Sequence, residues 1–156
     1  MQQQRTLITT LLLVLISLFL VACGGDAEAP AEELDVVEEE ATIAVTMNDI
    51  YFGENPNNAE DPPIWTVPAG AEVTVNLDNN GALQHNWAIV QPGEEVPVPV
   101  TEETAEGIIL YDTGLVDGGE TATATFTAPE AAGEYLVICT VAGHYPAMQG
   151  RLVVTE

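Results

Sequence analysis

Ten residues near the end of the chain, CTVAGHYPAM (139–148), gather a cysteine, a histidine and a methionine in the spacing Cys-x4-His-x3-Met. The whole sequence has only two cysteines, two histidines and three methionines. Thiolate and thioether are soft metal donors, and imidazole suits copper, zinc, iron and nickel. A site that takes Cys139, His144 and Met148 from one loop needs a further donor. His85, in DNNGALQHNW, is the remaining histidine.

Two histidines and one cysteine with a weak, distant axial methionine describe a type 1 copper centre, the kind that moves single electrons. Rival chemistries fit less well. Cysteine and histidine suit a structural zinc, but methionine is a poor zinc ligand. A multicopper enzyme needs several more histidines, and a binuclear copper site needs a second cysteine in the loop; the chain has neither. No acid–base constellation stands out, so the expectation is a one-electron carrier with one copper ion, no catalytic residues and no small-molecule substrate. The alternative is a copper-binding or copper-delivery lipoprotein. Delivery favours exposed Met- and His-rich tracts, and this sequence lacks them. Met47, Trp65 and Trp87 are read as core residues.

Strands must position these donors. In AEVTVNLDN, Val73, Val75 and Leu77 alternate with Glu72, Thr74 and Asn76. In TATATFTAP, Ala122, Ala124 and Phe126 alternate with threonines. TIAVTM, HNWAIV, GIILY, GEYLVIC and GRLVVTE are further short runs rich in Val, Ile, Thr and Tyr, separated by turn signals such as DNNG, QPGEE and VDGG. VTEETAEGI offers one short helical turn at most. Such a pattern predicts an all-β domain, a sandwich of two sheets with seven or eight strands. In GEYLVIC, Tyr135, Val137 and Cys139 share a face. Cys139 then ends a strand, and the loop carrying His144 and Met148 curls back over it, helped by Gly143 and Pro146.

The Cys-x4-His-x3-Met loop, with a histidine followed by Asn and Trp upstream, resembles the ligand segments of azurin-type cupredoxins. GHYPAM and the acidic N-terminal stretch resemble the auracyanins among them. The resemblance spans about 42–156 and implies a Greek-key sandwich with His85, Cys139 and His144 as equatorial copper ligands and Met148 as the axial one. It implies that the Gln84 carbonyl approaches the metal from the opposite side. It also implies that Asn86 and Thr140 tie the two ligand segments together by hydrogen bonds. Val141 and Ala142 depart from the aromatic residue and proline usual in azurins, which leaves open how many hydrogen bonds the Cys139 sulfur accepts. As partners the resemblance implies redox proteins, namely a quinol-oxidising complex as donor and a c-type cytochrome of a reaction centre, or an oxidase, as acceptor.

The N-terminus reads as export machinery. Residues 1–22 carry Arg5 and an apolar run from Leu7 to Val21, the layout of a signal peptide. LVAC resembles the lipobox of bacterial lipoproteins, which would leave Cys23 as a lipid anchor; an uncleaved N-terminal anchor is the alternative. Either way the domain is expected on the outer, periplasmic face of the cytoplasmic membrane. Residues 23–40 include eight acidic and no basic residues and are read as a tether. Residues 41–156 form one domain. The formal net charge of −23 argues against nucleic acid as a partner.

Overall fold

The computed structural model describes residues 39–156. The signal peptide, Cys23 and nearly all of the tether lie outside the described residues. The described chain folds as a two-sheet β-sandwich. Its strands are β1 (Glu40–Asn48), β2 (Tyr51–Phe52), β3 (Ile64–Pro68), β4 (Glu72–Asn79), β5 (Ala88–Val90), β6 (Ile109–Asp112), β7 (Thr121–Thr127), β8 (Gly133–Ile138) and β9 (Gln149–Thr155). One sheet has the order β2-β1-β4-β7 and the other β3-β9-β8-β5-β6. The pairs β1/β4 and β3/β9 are parallel, and the remaining pairs are antiparallel.

Nine strands form where the sequence pattern suggested seven or eight. The two added ones are β2, only two residues long, and β3, which follows Pro62–Pro63 and ends on Pro68. Prolines remove ladder donors and mark edges, and β3 is indeed an edge strand, paired only with β9. The short turn in VTEETAEGI is a four-residue helix, α1 (Glu102–Ala105). Among the described residues no helix is long and apolar enough to cross a membrane.

Alternation along the strands sorts side chains as the sequence implies. Val73, Val75 and Leu77 of β4 face the core, as do Tyr135 and Val137 of β8. An aromatic chain runs through the sandwich: Phe52 against Trp65, Trp65 against Trp87, Trp87 against Phe126 and Phe126 against Tyr111, with centroids 4.8 to 5.8 Å apart. Such pairs add about 0.5–1.5 kcal/mol each beyond the area they bury. Trp65 also joins the sheets, since its indole N–H donates to the Ala44 carbonyl of β1 at 3.0 Å. Gly150 of β9 is required here, because a Cβ would run into the Trp65 ring.

A second, smaller core lies on the other side of β8. Ile138, Val90, Val100 and Ala105 pack there beneath the connection that contains α1, with Tyr145 partly buried against them. Strand β8 is therefore covered on both faces at the end that leads into Cys139.

Candidate metal centre

Cys139 follows directly on β8 and is the free cysteine of the described residues, fully buried. Its N–H donates to the Met148 carbonyl at 3.3 Å, so the chain leaves and returns side by side. Between these points the loop is folded by its own backbone. The His144 N–H donates to Val141 at 3.0 Å and the Met148 N–H to His144 at 2.8 Å. Gly143 takes the turn with φ +84°, a conformation glycine adopts without penalty. Gln149 closes the loop by donating its side-chain amide to the Pro146 carbonyl at 2.8 Å.

His85 arrives from the far side. It lies between β4 and β5 and forms an isolated bridge with Val116, exchanging backbone bonds of 3.1 and 2.8 Å. Three donor atoms then converge. The Nδ1 atoms of His85 and His144 are 3.1 Å apart, and Cys139 Sγ is 3.8 Å from the first and 3.4 Å from the second. The point equidistant from all three lies about 2 Å from each, the length of a metal–imidazole bond and slightly short of the roughly 2.3 Å of a metal–thiolate bond. His85 has no exposed surface, and His144 keeps 6 %. Met148 is buried in the same core cluster as Cys139.

The electrostatics suit a metal cation. Burial holds both imidazoles below the usual histidine range, so they are neutral and their nitrogens are free to donate. For His85 the neighbouring His144 adds to this, and Asp49 opposes it. Burial pushes the Cys139 thiol up, partly offset by the backbone N–H groups of Asn86 and Val141 that point at the sulfur. A metal ion would replace the thiol proton. The His85 Nε2 atom, on the side of the ring away from the converging donors, is buried without a hydrogen-bond partner.

The predicted tie between the two segments is present in both directions. Asn86 Nδ2 donates to Thr140 Oγ1 at 2.7 Å, and the Thr140 N–H donates to Asn86 Oδ1 at 2.8 Å. Gln84 lies beside the site, and its side-chain amide is bonded to Asp117.

Three supporting residues are not marked by the sequence pattern. Asp112 of β6 accepts from Asn86 Nδ2 through both carboxylate oxygens at 2.9 Å. Asn79, fully buried, donates to the carbonyls of Leu83 and Val116 at 2.8 and 2.9 Å and accepts from the Gly81 N–H at 3.0 Å. Asp49 Oδ1 accepts the N–H groups of Ala82 and Leu83 at 2.8 and 3.2 Å. Asn79 stands in DNNG, where its type reads as an ordinary turn former. Asp49 and Asp112 read as solvated charges at strand ends.

A two-sheet β-sandwich with two histidines, one cysteine and one methionine gathered at one end defines a cupredoxin, a type 1 blue copper protein. Residues 43–156 match the family model described as the sulfocyanin (SoxE) domain, and the chain belongs to that family. Auracyanin-A of Chloroflexus aurantiacus is 37 % identical over 155 residues, covering 91 % of this chain and 92 % of that protein. Its solved structure, described as a "blue" copper protein from a green thermophilic photosynthetic bacterium, covers 74 % of this chain and 99 % of its own, with a TM-score of 0.57. A dithionite-reduced auracyanin from Roseiflexus castenholzii is 32 % identical, covers 74 % of this chain and 97 % of its own, and has a TM-score of 0.59.

Proposed function

We propose that the protein is an exported, membrane-tethered one-electron carrier whose copper would be held by His85, Cys139, His144 and Met148. The mutual approach of three buried donor atoms from two distant segments carries this reading. Bound copper supplies a Cu(II)/Cu(I) couple. The protein's own residues supply the rest: the neutral histidines and the thiolate bind, the buried surround excludes water, and the Asn86–Thr140 pair fixes how far the two segments can separate.

The surface supports protein partners. Arg151 is the one basic residue among the described positions, and Glu134 meets it at 3.2 Å. The domain carries 17 acidic residues, and their charge is almost unopposed, which steers a basic partner and repels an acidic one. Beside His144 in its loop are the half-buried Tyr145 and Ala147 and the exposed Pro146, and Leu83, two residues before His85, is exposed as well; together they offer a small apolar surface suited to brief docking. Our reading is that a quinol-oxidising complex delivers electrons and a c-type cytochrome, or an oxidase, removes them. Lipid on Cys23 would hold the domain on the outer, periplasmic face of the cytoplasmic membrane, and the acidic stretch would act as the tether.

Loading with Cu(II) is expected to give an intense blue or blue-green protein with a narrow copper hyperfine pattern in paramagnetic resonance. Colourless, zinc-loaded protein as isolated would sink the carrier reading. Mass spectrometry of the native protein tests the anchor separately, since an unmodified Cys23 removes it.

A further inference from the structure

His85 binds through Nδ1 in the copper reading, on which this inference rests. Its ring proton must then sit on Nε2, a donor that is buried and lacks a hydrogen-bond partner. The carboxylate of Asp49 stands 3.8 Å from that atom. Closing less than about 1 Å, or placing one water between them, completes a hydrogen bond. We propose that Asp49 is a positioning residue for the copper centre: its carboxylate holds the Nε2–H of His85, fixes that tautomer and lowers the reduction potential by adding negative charge beside the metal.

Several observations on the fold point the same way. Asp49 sits in the two-residue turn between β1 and β2, beside Ile50, whose φ of +64° is rare for a β-branched side chain. Glycine or asparagine is usual at such a position. Ile50 is 42 % exposed, so its own packing does not explain the strained turn. The turn does present Asp49 to the loop that leads into His85. One oxygen, Oδ1, takes the N–H groups of Ala82 and Leu83 and is also the oxygen that stands 3.8 Å from His85 Nε2. Gly81 permits the approach, since a Cβ there would stand 2.5 Å from that same oxygen. The turn, the loop and the ring are thereby set by one carboxylate. Partners of this kind orient metal-bound histidines and raise their basicity.

Asp49→Asn is the decisive variant, because its amide oxygen still accepts the two loop N–H groups while the charge is gone. The copper-loaded variant is expected to remain blue with a higher potential. A three- to tenfold change in the ratio of Cu(II) to Cu(I) affinity corresponds to about 30–60 mV at 59 mV per tenfold. An amide oxygen accepts more weakly than a carboxylate, so in the metal-free variant the His85 Nε2–H signal in nitrogen-edited NMR is expected to exchange with water several-fold faster than in the unsubstituted protein. Glu94→Gln, which removes an exposed charge from the connection after β5, is expected to change neither. If Asp49→Asn matches Glu94→Gln in potential and leaves the exchange unchanged, Asp49 is a loop clamp alone and the proposal is wrong. If the unsubstituted protein never turns blue with copper, the copper reading fails instead, and the metal-free NMR comparison still decides whether Asp49 holds His85.

Discussion

The two segments that build the metal centre are held by opposite means. The 139–148 loop is a local device: three donors within ten residues, folded by backbone bonds among Val141, His144 and Met148 and closed by Gln149. The 79–87 segment contributes a single donor yet is pinned from across the fold. Asp49 reaches it from the β1–β2 turn, Val116 bridges His85, and Asp112 of β6 and Thr140 hold Asn86. One site thus joins a loop that shapes itself to a segment that cannot move unless several other elements move. A metal centre that must change charge with little rearrangement needs at least one side fixed in this way.

The sharpest way to break the loop side is Cys139→Ser. The intense colour requires a sulfur donor, so the copper-loaded variant is expected to lose that absorption entirely in the visible spectrum. Next in size is the tie between the sides. Asn86→Ala leaves Thr140 and the Asp112 carboxylate without their partner. Copper affinity is expected to fall about 10–100-fold, the usual cost of losing such a support. Stability of the metal-free protein, from urea unfolding, is expected to fall by about 1 kcal/mol or somewhat more as these part-buried hydrogen bonds are lost. Met148→Leu removes the weakest donor. Colour is expected to persist while the potential rises in voltammetry, because a ligand that favours Cu(II) is gone.

Acid tests both sides together. Both histidines are depressed below the ordinary value of 6.5 in the folded protein. The unfolded chain therefore binds more protons in the window below 6.5. Stability present above that value is lost as pH falls toward the lowered folded values. Metal-free protein is expected to show a urea midpoint that drops across that window, and His85→Gln is expected to flatten part of the drop. The smallest effect belongs to the rim. Ala147→Asp is expected to slow electron transfer to a basic c-type cytochrome several-fold at every salt concentration, leaving the spectrum unchanged. The unsubstituted rate is expected to fall as salt screens the acidic surface, with a screening length of about 8 Å near physiological ionic strength. A rate flat in salt would move the docking face elsewhere.

The contrast between the segments also explains what was legible in the sequence. The loop is contiguous, so the spacing of Cys139, His144 and Met148 announces it. His85 was readable because it was the last histidine available. Alternation in β4, β7 and β8 was equally plain, since one face of each strand meets the core. The supports of the second segment were hidden because they are distant in sequence and ordinary in type. Asp49 is 33 residues from Ala82 and Asp112 is 26 from Asn86. Strand β3 was hidden for another reason: its partner is parallel, so no hairpin turn announces the pairing, and prolines flank it.

Strand β9 (Gln149–Thr155) follows every other described strand in sequence, yet it lies inside its sheet between β3 and β8. Neither neighbour has its full hydrogen-bonding complement until β9 has been made. β3 lacks its strand partner altogether before then, and the return leg that brings Met148 beside Cys139 is also missing. The order of events during biosynthesis is thereby constrained. The sheet stays open on both sides of that gap until β9 has been made, and metal can be captured only once β9 is in place.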